Sequence, residues 1–363
     1  MPESSPPSAP TTKSNNSIKG RGTGSRLPSR FAIHVIELDE TGEPSRNPLT
    51  ELHRETAKSL ITRNSSPDVP FKLSINPYRG CEHGCIYCFA RPSHAYLDLS
   101  PGIDFETRLS VKHNAPELFE RELRKPGYRC EPIALGINTD AYQPVEKEQG
   151  VVRRMLEIAL AFNQPLSIIT KSGLILRDLD LLARMAERRL IHAAVSTTTL
   201  DNDLKRILEP RTAAPTVRLK VIRELTAVGV PVTALIAPVI PQINEHELEG
   251  IVEAVADAGA ESAGYILLRL PREVEPLFVE WLHQHFPERA NHVLNRLQDM
   301  RGGKLYDSRF GKRMTGEGVF AEMINQRFHL ALRKSGLDGR RTTDLNCGDF
   351  CPPGRSGDQL GLW

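Results

Sequence analysis

Between Phe71 and Phe286, short runs of apolar and β-branched residues alternate with longer segments in which apolar residues recur every three or four positions. The short runs predict strands and the longer segments predict helices, because side chains repeat about every second residue along a strand and about every 3.6 residues along a helix. The predicted strands are Lys72–Asn76, Ile133–Asn138, Leu166–Thr170, Ile191–Thr197, Val232–Val239 and Tyr265–Leu270. The predicted helices are Pro116–Lys125, Glu146–Phe162, Asp178–Arg188, Thr216–Val228 and Glu245–Ala258.

The strongest helical periodicity and two helix ends can be assigned to particular residues. Asp178 is a predicted N-cap before Leu179, and the turn from Gly229 to Pro231 predicts a helix stop. Within the segment 146–162, apolar residues at a spacing of three or four predict one buried face, formed by Val151, Met155, Ile158, Ala159 and Phe162.

Strands that each precede a helix predict a parallel sheet, because parallel neighbours need a crossover connection. The preferred fold class is α/β, with a partial (β/α)6 barrel of the TIM type whose site lies at the carboxyl ends of the strands. A doubly wound sheet shows the same alternation, so the pattern leaves that alternative open.

Composition divides the rest of the chain. Residues 1–30 are rich in Ser, Pro, Thr, Gly and Asn and predict a disordered basic tail. Residues 31–70 form an N-terminal extension, residues 71–290 the barrel, residues 291–345 a basic extension with a helix near 318–334, and residues 346–363 a flexible C-terminal tail. The glycine-rich run 20–24 has no strand before it and no helix after it, so it is not interpreted as a phosphate loop.

The chain has 363 residues, of which 39% are hydrophobic and 25% are charged, as in an ordinary globular protein. No apolar run approaches the roughly 18 residues of a membrane span, and the N-terminus lacks a signal-peptide core, so we expect a cytoplasmic protein. The net charge is +2, but residues 1–30 hold five basic residues and one acidic, and residues 291–341 hold eleven and five. These basic ends fit a nucleic-acid partner and fit a solvated surface equally well.

Three of the six cysteines fall within eight residues, in the segment Asn76-Pro-Tyr-Arg-Gly-Cys81-Glu-His-Gly-Cys85-Ile-Tyr-Cys88-Phe-Ala. A short loop with this spacing can place three thiolates around an iron–sulfur cube and leave the fourth iron open to a small molecule. The sequence therefore predicts a metal site formed by Cys81, Cys85 and Cys88. A zinc site is the alternative, with a fourth ligand from His83, His94 or His113, or with a second pair from Cys347 and Cys351.

The spacing Cys81-x3-Cys85-x2-Cys88, with Tyr87 before the third cysteine, resembles the signature of radical S-adenosylmethionine (SAM) enzymes. The flanking Asn-Pro-Tyr-Arg-Gly and Phe-Ala-Arg are similar to those of the DNA repair photolyase-like branch, which includes relatives of spore photoproduct lyase. The resemblance covers residues 18–335 and includes Asn138-Thr-Asp-Ala-Tyr-Gln-Pro-Val-Glu146, Thr170-Lys-Ser, Ser196-Thr-Thr-Thr-Leu-Asp201, Glu209-Pro-Arg211 and Gly303-Lys-Leu-Tyr-Asp-Ser-Arg309.

This resemblance implies a 4Fe–4S cluster and SAM as cofactors, and a reducing electron donor as a partner. In such enzymes the reduced cluster cleaves SAM to methionine and a 5′-deoxyadenosyl radical, which abstracts hydrogen from the substrate. The implied function is a radical SAM enzyme of the lyase or photolyase-like kind, with DNA repair as the process. Radical modification of RNA, a peptide or a small molecule is one alternative, and a noncatalytic metal-binding or nucleic-acid-binding protein is another.

Polar residues at the predicted strand ends are candidates for holding SAM, because barrel ligands bind there. Lys171 is expected to pair with the carboxylate, Tyr87 to lie beside the adenine, and the others to contact the amino group, the ribose or the carboxylate. The alternative for each is an ordinary strand-end or capping residue. The candidates are Tyr87, Asn138, Thr139, Asp140, Lys171 and Ser196.

The remaining cysteines depart from the photolyase pattern. Spore photoproduct lyases are expected to use a cysteine of the second strand as hydrogen donor, but the segment Ala134–Asp140 contains none. Cys130 lies upstream and reaches the site only if the strand begins earlier than predicted; otherwise it is a small buried residue. This departure argues against thymine-dimer repair itself. Cys347 and Cys351 are interpreted as incidental surface cysteines, with an accessory ligand pair or a redox pair as alternatives.

The chain ends in Gln359-Leu-Gly-Leu-Trp363, which is similar to the Gln-Leu-x-Leu-Phe peptide that docks on the bacterial sliding clamp. A Leu–aromatic pair on a flexible terminus can enter an apolar pocket while glutamine bonds at its edge. Trp363 stands where that peptide has Phe. We therefore expect the sliding clamp as a partner, through Gln359, Leu360, Leu362 and Trp363.

Overall fold

A computed structural model of the chain describes residues 18–31, 49–339 and 344–354. The strands in these ranges are β1 (Glu51–Glu55), β2 (Thr62–Arg63), β3 (Leu73–Ile75), β4 (Tyr78–Arg79), β5 (Arg108–Lys112), β6 (Ile133–Leu135), β7 (Leu166–Thr170), β8 (Ile191–Ser196), β9 (Val232–Val239) and β10 (Ser262–Leu267). The clamp-like residues Gln359, Leu360, Leu362 and Trp363 lie outside the described residues.

Helices connect these strands and cover the outer face of the sheet. They are α1 (Asp104–Thr107), α2 (Ala115–Leu123), α3 (Glu146–Gln149), α4 (Val151–Phe162), α5 (Leu179–Glu187), α6 (Asn202–Leu208), α7 (Pro215–Ala227), α8 (Leu248–Asp257), α9 (Val274–His285), α10 (Ala290–Asp299) and α11 (Val319–Lys334). Three 3₁₀ helices span Arg91–Leu97, Gly173–Asp178 and Glu245–Glu247. In the part of the chain that the structure describes, no helix is long and apolar enough to cross a membrane.

The main sheet has the strand order β10-β9-β8-β7-β6-β3-β2. In this sheet β3, β6, β7, β8, β9 and β10 are parallel and follow the order of the chain, and β2 is antiparallel to β3 at the edge. A doubly wound sheet would reverse its strand order at an internal switch point. The order found here does not reverse, so the predicted six-stranded partial barrel is confirmed.

Burial explains which predicted elements have the right bounds. The strands β7 and β9 match their predicted ranges, α4 ends at Phe162 as predicted, and α11 lies where a helix near 318–334 was predicted. Ile168 and Ala193, paired across β7 and β8, are fully buried. The predicted face of α4 is buried at Val151, Met155, Ala159 and Phe162 and half-buried at Ile158.

Two predicted boundaries and one predicted cap were wrong for identifiable local reasons, and most of the other bounds differ by one to three residues. The strand β10 begins at Ser262 rather than Tyr265, because the small residues Ser262, Ala263 and Gly264 pair with β9 without an apolar signal. The predicted helix 146–162 breaks at Gly150, whose φ is 59°. Asp178 precedes α5 but does not cap it, because its carboxylate accepts from Tyr142 and two arginines instead.

The described part of the predicted disordered tail is ordered against the barrel. We call residues 18–31 the N-terminal strap. Gly22, Thr23 and Ser25 are buried, and the Ser25 carbonyl accepts from the Ile103 N–H at 3.1 Å. Composition predicted disorder here, but the small residues allow close approach to the protein surface. Next to the strap, β1, β5 and β4 form a second sheet that the sequence did not predict.

The loop that follows α10 bridges the two edges of the partial barrel. We call residues 301–316 the latch loop. Its Met314 carbonyl accepts from the Leu267 N–H at 2.9 Å, while the Gly311 N–H donates to Asp68 at 2.7 Å and Arg313 pairs with the same carboxylate. Asp68 lies between β2 and β3, so the loop connects the last strand of the sheet to the first.

The described part of the predicted flexible C-terminal tail is also ordered. The N–H groups of Asn346 and Cys351 donate to Arg189 and Phe162 carbonyls at 2.8 Å and 3.0 Å. The Phe350 ring lies 5.2 Å from that of Tyr128. These contacts place residues 344–354 at the amino-terminal ends of β6 and β7, the end of the barrel opposite to the predicted site.

Candidate functional site

The three clustered cysteines lie on the loop that follows β3. We call residues 76–90 the cysteine loop. Cys81 and Cys85 are buried and Cys88 is half-buried. Cys81 and Phe105 belong to a small apolar cluster separate from the main core, and Cys88 packs against it. The Cys81 N–H donates to the Phe105 carbonyl at 2.9 Å, and the Cys88 N–H to that of Cys85 at 3.2 Å. The loop therefore holds its thiols side by side at the carboxyl end of the sheet.

Burial is the largest influence on the pKa values of these three thiols. It raises the pKa of Cys81 well above its usual range, with the Asp140 carboxylate adding to the effect, and it raises the pKa of Cys85 to about 12. The ammonium group of Lys171 acts in the opposite direction on both Cys85 and Cys88. Lys171 follows β7, so its positive charge faces the cysteine loop from a neighbouring strand.

A single zinc ion does not fit the arrangement of the described side chains. A zinc ion needs donors within about 2.0–2.3 Å of one point. Among residues 18–31, 49–339 and 344–354, no three His, Cys, Asp or Glu side chains are arranged to hold one metal ion. Thiolates that bind separate irons of a cube stand further apart, which suits three neighbouring but unconverged thiols. His83 and His94 already contact Asp140 and the Arg108 carbonyl.

A buried ion pair supports the cysteine loop from one side. Arg91 and Glu106 are both fully buried and contact each other at 2.5 Å. Arg91 also donates to the carbonyls of Gly84 at 3.2 Å and Cys85 at 3.0 Å. Glu106 accepts from the Gly22 N–H at 2.9 Å, so the N-terminal strap completes the same network. The loop backbone is therefore fixed independently of any bound group.

The approach of the strap to the loop is so close that Gly22 tolerates no side chain. A Cβ at Gly22 would lie 1.7 Å from the Gly84 carbonyl oxygen, and a Cβ at Gly84 would lie 2.6 Å from Glu106. Gly84 also has a φ of 67°, which favours glycine. The strap and the cysteine loop are thus interlocked.

A second buried ion pair supports the loop from the other side. Glu209 and Arg218 are buried and paired, and Glu209 also accepts from the hydroxyls of Tyr87 and Thr198. Burial alone would raise the pKa of Glu209, but Arg218, Lys171 and the donated hydrogen bonds lower it to about 2. The Tyr87 ring is consequently tied by its hydroxyl to the end of β8.

Asp140 connects two strands to the cysteine loop. Its carboxylate accepts from the Thr170 hydroxyl at 2.8 Å and the Lys171 N–H at 2.7 Å, and it lies 3.4 Å from the His83 ring. Burial alone would raise the pKa of Asp140, but His83 and these hydrogen bonds lower it below the usual value. Asp140 therefore fixes both the start of the loop after β7 and the middle of the cysteine loop.

The other predicted cofactor residues differ in how free their side chains are. The Thr139 hydroxyl donates to the Tyr78 carbonyl at 3.1 Å, while Asn138 is exposed after β6. Ser196 is buried at the end of β8, and its carbonyl accepts from Arg218 at 3.0 Å. Beside it, the buried Thr197 hydroxyl has no hydrogen-bond partner among the described residues. A buried orphan hydroxyl at a strand end is compatible with a ligand there.

The remaining cysteines are distant from this site. The strand β6 begins at Ile133, so Cys130 precedes its amino-terminal end, and its thiol donates to Gln164 at 3.6 Å. Cys130 therefore is not a site residue of the kind the photolyase pattern requires. Cys347 lies beside Cys130, and Cys351 is exposed.

Sequence reasoning missed Arg91, Glu106, Glu209 and Gly22 as parts of the site. Arg91 belongs to the Phe-Ala-Arg motif and Glu209 to the Glu-Pro-Arg motif, so the resemblance to the family could have pointed to both. Glu106 has none, because a single glutamate in a polar segment is typical of a surface.

The comparisons with known proteins agree with this geometry. A sequence model of the radical SAM superfamily matches residues 75–255, a range that begins at the end of β3 and ends within α8. An uncharacterized protein of Mycobacterium tuberculosis is 38% identical over 239 residues, which are 65% of this chain and 70% of that protein. An uncharacterized protein of Methanocaldococcus jannaschii is 28% identical over 250 residues, which are 69% of this chain and 89% of that protein.

Similar solved structures include spore photoproduct lyase complexed with dinucleoside spore photoproduct, with a TM-score of 0.57. The sequences are 16% identical, and the alignment covers 78% of this chain and 79% of that one. A mutant of spore photoproduct lyase superposes with a TM-score of 0.58. At this identity the likeness is one of fold, and it agrees with the partial barrel.

The interlock between strap and loop predicts the effect of Gly22→Ala. The added methyl group cannot fit against Gly84, so the strap must shift, and we expect the free energy of unfolding to fall by about 1–3 kcal/mol. Urea denaturation measures this loss, and hydrogen exchange should be faster in residues 80–90. Gly250→Ala is the matched control, because its Cβ would meet nothing within 4 Å, and alanine favours a helix. Equal stability of Gly22→Ala and the wild type would contradict the interlock.

The buried pair Glu209–Arg218 predicts that Glu209→Gln destabilises the protein by about 3–5 kcal/mol at pH 7, because Arg218 keeps a buried uncompensated charge. The folded-state pKa of about 2 lies below the unfolded value of about 4.3, so this stabilisation is complete above the unfolded pKa and is lost as the pH falls towards 2. Urea denaturation of the wild type and of Glu209→Gln, at pH 7 and at a pH near 2, tests this: the two proteins should differ at pH 7 and converge at the lower pH. Asp180→Asn, at an exposed pair with Arg153, should cost no more than about 1 kcal/mol. Equal losses in the two variants would refute the assignment.

Proposed function

This chain belongs to the radical SAM superfamily, and we propose that its cysteine loop and the ends of β6, β7 and β8 hold the 4Fe–4S cluster and SAM that this family uses. The observation that carries the proposal is the placement of Cys81, Cys85 and Cys88 on one short loop at the carboxyl end of the barrel, where the other two thiols lie within electrostatic reach of Cys81. The cysteine loop offers no fourth cysteine. We infer that these thiolates bind three irons and leave one open to SAM.

When bound, the reduced cluster supplies the electron that cleaves SAM to methionine and a 5′-deoxyadenosyl radical, which abstracts hydrogen from the substrate. Enzymes of this family also need a reducing electron donor. The task of the protein is to position these groups and to keep water away from them. The two buried ion pairs, Arg91–Glu106 and Glu209–Arg218, hold the cysteine loop from both sides for that purpose.

We assign different tasks to the predicted SAM residues according to how free their side chains are. Lys171 presents an ammonium group towards Cys85 and Cys88, so it pairs with the SAM carboxylate. Asn138 is exposed at the end of β6, and Ser196 with its neighbour Thr197 is buried at the end of β8, so these offer polar contacts to the amino group and the ribose.

The other three predicted residues have their polar atoms engaged within the protein. Asp140 binds the Lys171 N–H, the Thr139 hydroxyl binds the Tyr78 carbonyl, and the Tyr87 hydroxyl binds Glu209. We infer that they position the cysteine loop and Lys171, and that the Tyr87 ring remains available as a flat apolar contact for the adenine.

We extend the proposal to a nucleic-acid substrate, with DNA repair as the process and the cytoplasm as the location. Its support is the fold shared with spore photoproduct lyase, a protein solved with a dinucleoside spore photoproduct, and the excess of basic residues in the segment 291–341. Because Cys130 lies at the opposite end of β6, the proposed reaction does not use a thiol of that strand. The proposal also retains the sliding clamp as a partner through the terminal residues 359–363.

Anaerobic reconstitution with iron and sulfide tests the cysteine assignment. We expect the reduced wild type to release 5′-deoxyadenosine from SAM and Cys85→Ser to lose both the cluster absorbance and this product, because a serine hydroxyl replaces a thiolate ligand. Cys351→Ser is the matched control, since Cys351 is exposed at the other end of the barrel, and it should behave as the wild type. Stoichiometric zinc without a chromophore, or a full cluster without 5′-deoxyadenosine, would overturn the proposal.

The role of Lys171 is tested separately with Lys171→Met, which keeps the length and apolar stem but removes the charge. Loss of one charge-assisted contact should weaken SAM binding about 10- to 150-fold, because such contacts contribute about 1.5–3 kcal/mol. Calorimetric titration of SAM into the reconstituted protein measures this. Lys220→Met, at an exposed position on α7, should leave the affinity unchanged. An unaltered Kd in Lys171→Met with a complete cluster would refute the role.

A further inference from the structure

Four exposed aromatic side chains near the cysteine loop each lie against an arginine. Phe31, Phe89, Tyr96 and Phe310 are 53%, 42%, 66% and 58% exposed, and we call them the aromatic rim. The Arg30 guanidinium lies 4.9 Å from the ring centres of both Phe31 and Tyr96. Arg269 lies 5.4 Å from the ring of Phe89, and Arg313 lies 4.7 Å from that of Phe310.

The rim follows one continuous edge of the barrel opening. Phe89 directly follows Cys88, and its partner Arg269 stands two residues after β10. Arg272, three residues further, donates to the Tyr96 hydroxyl at 3.4 Å. In the other direction, Arg269 donates to the Met314 sulfur at 3.6 Å, and Met314 lies on the latch loop that also carries Phe310. The rim therefore lies at the end of the barrel that carries the cysteine loop, with Phe89 next to Cys88.

The arginines of the aromatic rim carry positive charges that carboxylates neutralise only in part. Arg30 and Arg313 pair with Glu273 and Asp68, but Arg269 and Arg272 form no ion pair with any carboxylate in the described ranges. Isolated exposed apolar residues are common on proteins, but a strip of rings with stacked guanidinium groups presents flat faces and donors together.

We propose that the aromatic rim binds unstacked nucleotides of a single-stranded or locally opened nucleic acid and leads them to the cysteine loop. Every base has a π face that stacks on aromatic rings and on arginine planes, whichever the sequence. The unpaired charges of Arg269 and Arg272 suit the backbone phosphates. An acidic peptide would satisfy the charges but not the rings. This inference rests on the proposed function for its chemistry, while the binding itself needs neither cluster nor SAM.

A base inside a duplex cannot reach a thiol-lined site within the barrel, so the target nucleotide must leave the stack. A rim of stacking surfaces beside the opening compensates for the lost base stacking. We therefore expect the rim to bind a single strand more tightly than a duplex of the same sequence.

Fluorescence anisotropy of labelled DNA and RNA oligonucleotides with the full chain, without SAM, tests the proposal. We expect single strands to bind more tightly than the matching duplex, and Tyr96→Ala and Phe310→Ala each to weaken binding at least about fivefold. Tyr96→Phe should retain the affinity, because it keeps the stacking face. Leu330→Ala, at an exposed position on α11, is the control and should bind as the wild type. The relative affinity of DNA and RNA identifies the natural strand.

Equal binding of duplex and single strands that Tyr96→Ala and Phe310→Ala leave unchanged would overturn the proposal, as would binding of an acidic peptide but not of nucleic acid. Melting temperatures check that each variant is folded. Because SAM cleavage is measured without nucleic acid, a protein that releases 5′-deoxyadenosine but binds no strand refutes only the rim. A protein that binds single strands but cleaves no SAM refutes only the radical chemistry.

Discussion

The cysteine loop keeps its shape because two buried arginine–carboxylate pairs bracket it. Arg91–Glu106 lies on one side and Glu209–Arg218 on the other, and all four side chains are essentially excluded from solvent. Burying a charge is costly unless it is paired and its remaining hydrogen-bonding groups are satisfied. Here the surplus donors of the arginines bind backbone carbonyls of the loop and of β8. Because the buried arginines must use these donors, their hydrogen bonds fix the backbone of the loop.

The pairs also connect the loop to distant parts of the fold. Glu106 accepts from the strap, Glu209 accepts from Tyr87, and Asp140 ties the loop to the end of β7 through His83 and the Lys171 N–H. These connections reach Gly84, Tyr87 and His83 of the cysteine loop, and they also reach Lys171, the cation that faces the cysteines. A change in any of these carboxylates is therefore expected to act on the thiols through the backbone, not through direct contact.

The sequence predicted what depends on local pattern and spacing. The strands β7 and β9 had the right bounds because most of their residues are apolar or β-branched, and the cysteines were found because their spacing is itself the signal. The strand β10 was misplaced because Ser262, Ala263 and Gly264 are small. The strand β1 was missed because most of its side chains are exposed and its partner β5 lies about fifty residues away. The buried carboxylates were missed because nothing local distinguishes them from surface residues; their partners are remote in the sequence.

The N-terminal strap has a consequence for the order in which the protein is completed during synthesis. Its residues leave the ribosome before the barrel does, yet the Ser25 hydroxyl donates to Glu280 at 2.6 Å, and Arg30 pairs with Glu273. These contacts cannot form until α9 has been translated, after the whole sheet. The strap is thus among the last segments to dock, although it is translated before the barrel. Until it docks, the flank of the cysteine loop that Gly22 covers at Gly84 stays open, so the barrel is completed before this side of the loop is closed.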